Sequence, residues 1–186
     1  MSAAIHGLAR SSAPDVRNPL LRLPAAAAFE HLPEADRRQM RAALDAIRRS
    51  TKQIADDLWQ SGRVRKAAYW RACSVYAGHA ARLVHHRSSP SPVSVVREAG
   101  GSLPAALRGL VAHHLRAAPA PALALLAQLL VELRADAHAA SDKSWSTAKA
   151  PMASYWADVA TISGRCARAV SRMAVDGIAV PHRLAA

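Results

Sequence analysis

The chain repeats itself. Residues 33–84 align without a gap on residues 119–170, at a constant offset of 86. Pro33, Leu44, Arg48, Asp56, Trp59, Tyr69, Trp70, Gly78, Ala81, Arg82 and Val84 recur as Pro119, Leu130, Arg134, Asp142, Trp145, Tyr155, Trp156, Gly164, Ala167, Arg168 and Val170, which takes in all four tryptophans. Rare residues coinciding at one fixed offset point to two copies of one supersecondary unit, each closing its apolar face against the other. The expected fold is all-α, an internally duplicated helical bundle. It has two pseudo-symmetric three-helix units, each a short helix followed by two long ones. Departures between the copies are then the places to look for function.

Composition agrees with helix. Of the 186 residues, 51% are apolar and only 4% aromatic. Ala and Leu dominate, and the β-branched runs that mark strands are scarce. The length is enough for a buried core, and the apolar content excludes a chain disordered throughout.

Residues 21–32 (LRLPAAAAFEHL) read as a short helix with Pro24 in its first turn. Leu23-Pro24-Ala25-Ala26 recurs as Leu103-Pro104-Ala105-Ala106, so residues 102–117 lead the second unit in the same way. In the next helix Met40, Leu44, Ile47, Thr51, Ile54 and Leu58 step by four and three, the spacing of a helical seam. Leu126, Leu130, Leu133, Ala137, Ala140 and Ser144 keep that register in the second unit. Turns follow near 60–63 and 146–149, and Pro151 suits the first turn of the helix after it.

The third helix, roughly 65–86 and 151–174, has two apolar seams in each unit. One is Tyr69, Cys73, Tyr76, Ala80 and Leu83; the other is Trp70, Ala77, Ala81 and Val84. Such a helix lies between two neighbours. Its glycines, Gly78 and Gly164, each cost about 1 kcal/mol relative to Ala, which close helix–helix approach explains. Cys73 and Cys166 fall opposite Val159 and Ala80, so both read as reduced core cysteines. The domain reading is an N-terminal tail (1–20), unit one (21–86), a Ser/Pro/Gly linker (87–101), unit two (102–174) and a C-terminal tail (175–186).

Net charge is +12 and the pI about 11.1. That balance suggests an anionic partner, nucleic acid first and an acidic membrane or protein second. The units differ in charge: residues 33–87 hold 12 Lys and Arg against 5 acids, residues 119–172 only 6 against 4. Arg37, Arg38, Arg41, Arg48, Arg49 and Lys52 lie on the long helix of unit one. Arg37, Arg41, Arg48 and Lys52 share one face, where unit two has Leu123, Ala127, Arg134 and His138. The turn adds Arg63, Arg65, Lys66 and Arg71, with Lys149 matching Arg63. A basic helix start suits phosphate through charge and free N–H groups. These eleven cations, Lys149 included, are the candidate nucleic-acid-binding residues, and a solvated helix face is the plain alternative.

Residues 51–66 approximate a helix-turn-helix through Ile54, Ala55, Leu58, Ser61 and Val64. The turn is about one residue short, Trp59 stands where a small residue is usual, and unit two lacks the pattern, so a long hairpin is expected instead. Because both units keep Trp59, Tyr69, Trp70 and their partners, core packing is favoured over stacking on bases. Asp56 and Asp142 are expected to accept a hydrogen bond from an indole or phenol. Arg48/Arg134 and Arg82/Arg168 read as interhelix contacts, with a two-fold related phosphate clamp as the other reading.

His85-His86 and His113-His114 do not make a metal site by spacing. No Gly-rich phosphate loop, Ser/His/Asp set or HExxH motif is present, so no enzyme activity, cofactor or metal is expected. The N-terminal residues lack the apolar core of a secretory signal. The most apolar stretch, Leu123 to Leu133, is interrupted by Gln128 and Glu132 and is too short to span a membrane. The expectation is therefore a cytoplasmic, non-enzymatic nucleic-acid binder making mainly phosphate contacts. It would act as an accessory subunit of a larger complex or as a homodimer. It is similar in kind to small helical subunits of CRISPR effector complexes and to phage or plasmid accessory proteins, though no motif ties it to them. The alternative is an adaptor or inhibitor whose basic face meets an acidic protein.

Overall fold

The computed structural model describes residues 18–84 and 103–179. These form six α-helices: α1 (Pro24–Ala28), α2 (Glu34–Gln60), α3 (Val64–Leu83), α4 (Leu103–Leu115), α5 (Ala120–Ser146) and α6 (Ala150–Ala179). Two single 3₁₀ turns, Pro19–Arg22 and Phe29–His31, flank α1, and no strand occurs among the described residues. The expected linker, 87–101, lies outside them, as do residues 1–17, His85, His86 and 180–186.

Two long hairpins dominate. The α2 seam is buried from Met40 to Leu58, and the α3 residues Trp70, Cys73, Ala77, Ala80, Ala81, Leu83 and Val84 close over it. Unlike a helix-turn-helix, α2 is one continuous 27-residue helix. Arg71 reaches Asp56 near the turn, while farther back Ser74 Oγ donates to the Arg48 carbonyl at 3.0 Å, so the helices run antiparallel. The second hairpin is built alike, with Ser141 Oγ donating to the Ala153 carbonyl at 3.0 Å.

The turns share two backbone bonds at equivalent positions. Gly62 N–H donates to Trp59 O and Arg63 N–H to Leu58 O; Ala148 N–H donates to Trp145 O and Lys149 N–H to Ser144 O. This is the Schellman ending, which needs a left-handed residue at its centre. Gly62 supplies it at φ 73°, and Ala148 is forced into it at φ 56°.

The leading segments cross over. Segment α1 packs on α5, and α4 packs between α6 of its own half and α2 of the other, so each short helix reaches the opposite half. Glu132 of α5 accepts from the Ala25 amide at 2.8 Å, capping α1. Asp136 of α5 pairs with Arg22 at 2.5 Å. In return His114 of α4 is hydrogen-bonded to Ser50 of α2 at 3.1 Å. The core is one cluster reaching from Leu20 through Leu107 and Leu115 to Val170.

Three details depart from the sequence reading. The first leading helix is broken into 3₁₀, α and 3₁₀ turns, because Pro19 and Pro24 each start a new helical segment. Asn18, Pro19 and Leu20 belong to the fold and not to a tail: Leu20 is buried, and Asn18 Nδ2 donates to the His79 carbonyl. At the other end α6 continues to Ala179, past the expected limit of unit two. No helix among the described residues is long and apolar enough to cross a membrane.

Candidate nucleic-acid interface

The six cations of α2 share their helix with Glu34, Asp36, Asp45, Asp56 and Asp57, all the acids of residues 33–87. The structure pairs them. Arg38 meets Glu34 at 3.5 Å, Arg41 and Arg48 both meet Asp45, at 3.7 and 3.4 Å, and Lys52 meets Asp56 at 2.6 Å. Arg37 and Arg49 are half-buried, each with an Nε enclosed and unpartnered. The excess charge of unit one therefore sits mostly beyond α2.

It sits at the turn. Arg63, Arg65 and Lys66 are exposed, and no carboxylate pairs with them among the described residues. Arg63 is the cap residue of α3, which has no acid in its first turn. Cations at a helix start oppose the helix dipole, which favours anions there. Lys149 holds the same place ahead of α6, also with no acid in the first turn. Arg71 is the exception, since it reaches Asp56 at 2.8 Å.

Asp56 is a correction. Its carboxylate serves Lys52 and Arg71 and not an aromatic group. The hydrogen bond from Lys52 and the charges of Lys52 and Arg71 hold its carboxyl below the usual value. Trp70 Nε1 and Tyr69 OH are left buried without partners. Burial, together with the Cys73 and Cys166 thiols nearby, pushes the Tyr69 phenol up, while Arg165 of α6 works against the shift. Asp142 is exposed.

The tryptophans divide in two. Trp70 is fully buried and Trp156 partly so. Tyr69–Trp70 and Tyr155–Trp156 form edge-to-face pairs at 5.7 and 5.2 Å. Trp59 and Trp145, however, are 60% and 59% exposed. The core reading holds for the first pair and fails for the second. Both exposed rings stand on the last turn before the basic residues, and Val64 and Met152 are exposed in the first turns of the helices that follow. Sequence reasoning missed this, because recurrence at one offset in both hairpins is equally the mark of a packed residue and of a repeated surface.

The glycines are also explained differently. A Cβ on Gly78 would stand 2.9 Å from Arg48 Cδ, and one on Gly164 would stand 2.9 Å from Arg134 Cδ. What needs the space is an arginine of the same hairpin, laid across the helix. Both cysteines are free and line a central apolar cavity of about 80 Å³. Burial raises both thiols, Cys166 to about 11, which suits packing and not nucleophilic work. No group of three or more His, Cys, Asp or Glu capable of holding a metal occurs among the described residues.

No protein-family model, curated protein or solved structure matches this chain.

Proposed function

We propose that this is a non-enzymatic nucleic-acid-binding protein that holds the phosphate backbone and stacks bases at its hairpin ends. The observation that carries the reading is an exposed tryptophan next to a basic helix start, repeated in both hairpins. Trp59 precedes Arg63, Arg65 and Lys66, and Trp145 precedes Lys149. An indole amid unpaired cations suits single strands, whose bases offer π-faces and whose phosphates offer charge. The cations of α2 would add to the field around this end, although their carboxylates temper it.

The two hairpins are read as products of internal duplication. Supporting this are the offset of 86, the matching Schellman turns, the matching Arg-on-Gly contacts and the reciprocal crossing of α1 and α4. A cytoplasmic place in a larger nucleoprotein assembly, as an accessory subunit, completes the proposal.

The test is binding to fluorescent single- and double-stranded DNA and RNA between about 50 and 300 mM salt. One variant changes Arg63, Arg65 and Lys66 to Ala; a second changes Arg37, Arg41, Arg48 and Lys52. Micromolar binding that weakens with salt, and that the first variant loses more than the second, is the expected result. No binding at the lowest salt overturns the proposal and turns the search toward an acidic protein partner.

A further inference from the structure

The two Arg-on-Gly contacts are equivalent in backbone but opposite in electrostatics. In the first hairpin Arg48 lies over Gly78, and Arg82 Nη1 stands 3.8 Å from the same point. Both cations are occupied: Asp45 Oδ1 is 3.4 Å from Arg48 Nε, and His79 Nδ1 is 2.7 Å from Arg82 Nη2. In the second hairpin Arg134 lies over Gly164, with Arg168 in the place of Arg82. The position of Asp45 is now Val131, and that of His79 is Arg165. The acceptors have been exchanged for an aliphatic group and a further cation.

The surroundings add further cations, and the acid nearest in sequence on α6, Asp176, four residues past Arg172, forms no ion pair with it. Arg168 and Arg172 form a ridge between two shallow depressions. One holds Arg134, Gly164 and Val131; the other holds Arg108 of α4 and Arg165. The nearest acids in sequence on α5 are committed elsewhere, Glu132 to the Ala25 amide and Asp136 to Arg22. Among the described residues no carboxylate pairs with Arg108, Arg134, Arg168 or Arg172. Guanidinium groups converging without a counter-ion repel one another, and a multivalent oxyanion relieves that repulsion through bidentate hydrogen bonds.

We propose that Arg134, laid over Gly164, and Arg168 of the same depression, extended by Arg108, Arg165 and Arg172, form a phosphate-binding site of the second hairpin that grips the backbone of a nucleic-acid strand. The nucleic-acid source of the phosphates rests on the function proposed above; the oxyanion site itself does not. The depressions measure about 260 and 210 Å³, several times the volume of a water, so each admits a phosphodiester group with part of its hydration. Two depressions on either side of one ridge suit consecutive phosphates. The second hairpin is thus an anion-binding partner and not only a structural support.

The test puts the first hairpin's carboxylate into the second. Val131 is 56% exposed, so Val131→Asp leaves the core intact while presenting an acceptor one turn before Arg134. The full chain, Val131→Asp, and Arg134→Gln with Arg168→Gln are titrated with inorganic tripolyphosphate by calorimetry, and with a fluorescent single-stranded oligonucleotide. Circular dichroism confirms the fold of each. Tripolyphosphate binding that falls at least tenfold in both variants, with a parallel loss of oligonucleotide affinity, is the expected result. Tripolyphosphate affinity unchanged within twofold in both variants overturns the site, even if the oligonucleotide still binds through Arg63, Arg65 and Lys66. Oligonucleotide affinity unchanged in both variants overturns the backbone grip, even where tripolyphosphate binding is lost. Loss of tripolyphosphate binding in both variants, where the parent chain binds tripolyphosphate but no oligonucleotide, supports the oxyanion site and removes the nucleic-acid function.

Discussion

Arg134 lies across Gly164, its Cδ 2.9 Å from where a β-carbon would stand and its Nε at 3.2 Å. The glycine is the floor on which the guanidinium is set. Gly164→Ala gains about 1 kcal/mol of helix propensity, and the exposed Arg134 side chain can swing outward to make room. The expected outcome is a melting temperature equal to or above the parent, with tripolyphosphate affinity reduced severalfold. A variant that loses stability and keeps its affinity would show that the contact is packing alone.

Ala148 stands in the left-handed region where its counterpart is Gly62. A side chain there costs roughly 1–2 kcal/mol. Ala148→Gly is expected to stabilise the protein by about 1 kcal/mol, and Gly62→Ala to destabilise it by a similar amount. Urea unfolding of the two variants measures both, and a loss of stability in Ala148→Gly would contradict the turn geometry.

The tryptophans should separate by experiment as they do in space. Trp70→Ala empties a fully buried site and is expected to cost about 3–5 kcal/mol. Trp59→Ala and Trp145→Ala should stay within about 0.5 kcal/mol of the parent in stability. In oligonucleotide binding each should lose about 1–3 kcal/mol, the value of one stacked base. Equal effects on stability from Trp59 and Trp70 would refute the division.

Acid should weaken the fold through two histidines. Burial lowers the pKa of His79 and His114 below 6.5, aided by Arg82 at the first and by His113 and Arg49 at the second. A histidine with a lowered folded pKa is taken up neutral, and the unfolded chain binds the proton first. Stability is therefore full above 6.5 and declines as pH falls through that value toward the folded pKa values. Melting curves taken from about pH 7.5 down to about pH 5 should show this decline, and His114→Gln, which can keep the Ser50 bond, should flatten part of it. A melting temperature that rises over the same interval would reverse the sign of the argument.

The helices were legible because their seams are dictated by local spacing. Met40 to Leu58 is a run of fours and threes that suits only a helix, and Trp70 with Ala77, Ala81 and Val84 needs a second neighbour. The broken lead around α1 was less so, since two prolines set where the first two segments begin while the short runs after them fit either helix type. The ion pairs of α2 were visible as spacing: Glu34–Arg38, Arg41–Asp45 and Lys52–Asp56 are all four apart. Counting charge by unit concealed them. The arginine site was legible only in part. Arg134 and Arg168 stood out as a possible phosphate clamp because both recur at the offset of 86, but Arg108 comes from a third helix, and nothing in its sequence separation brings it to them. The available signal was the pair Asp45/Val131, a carboxylate present in one hairpin and absent from the other beside an arginine that both retain.

Each half of the molecule wears the other's clasp. Segment α1 is fastened to α5 by Glu132 and by Arg22 with Asp136, and α4 is fastened to α2 by His114 with Ser50. Continuity of the chain is thus not what holds the halves together. Severed between Val84 and Leu103, the protein should still travel as one particle on a sizing column. Its two pieces, made apart and mixed, should find each other.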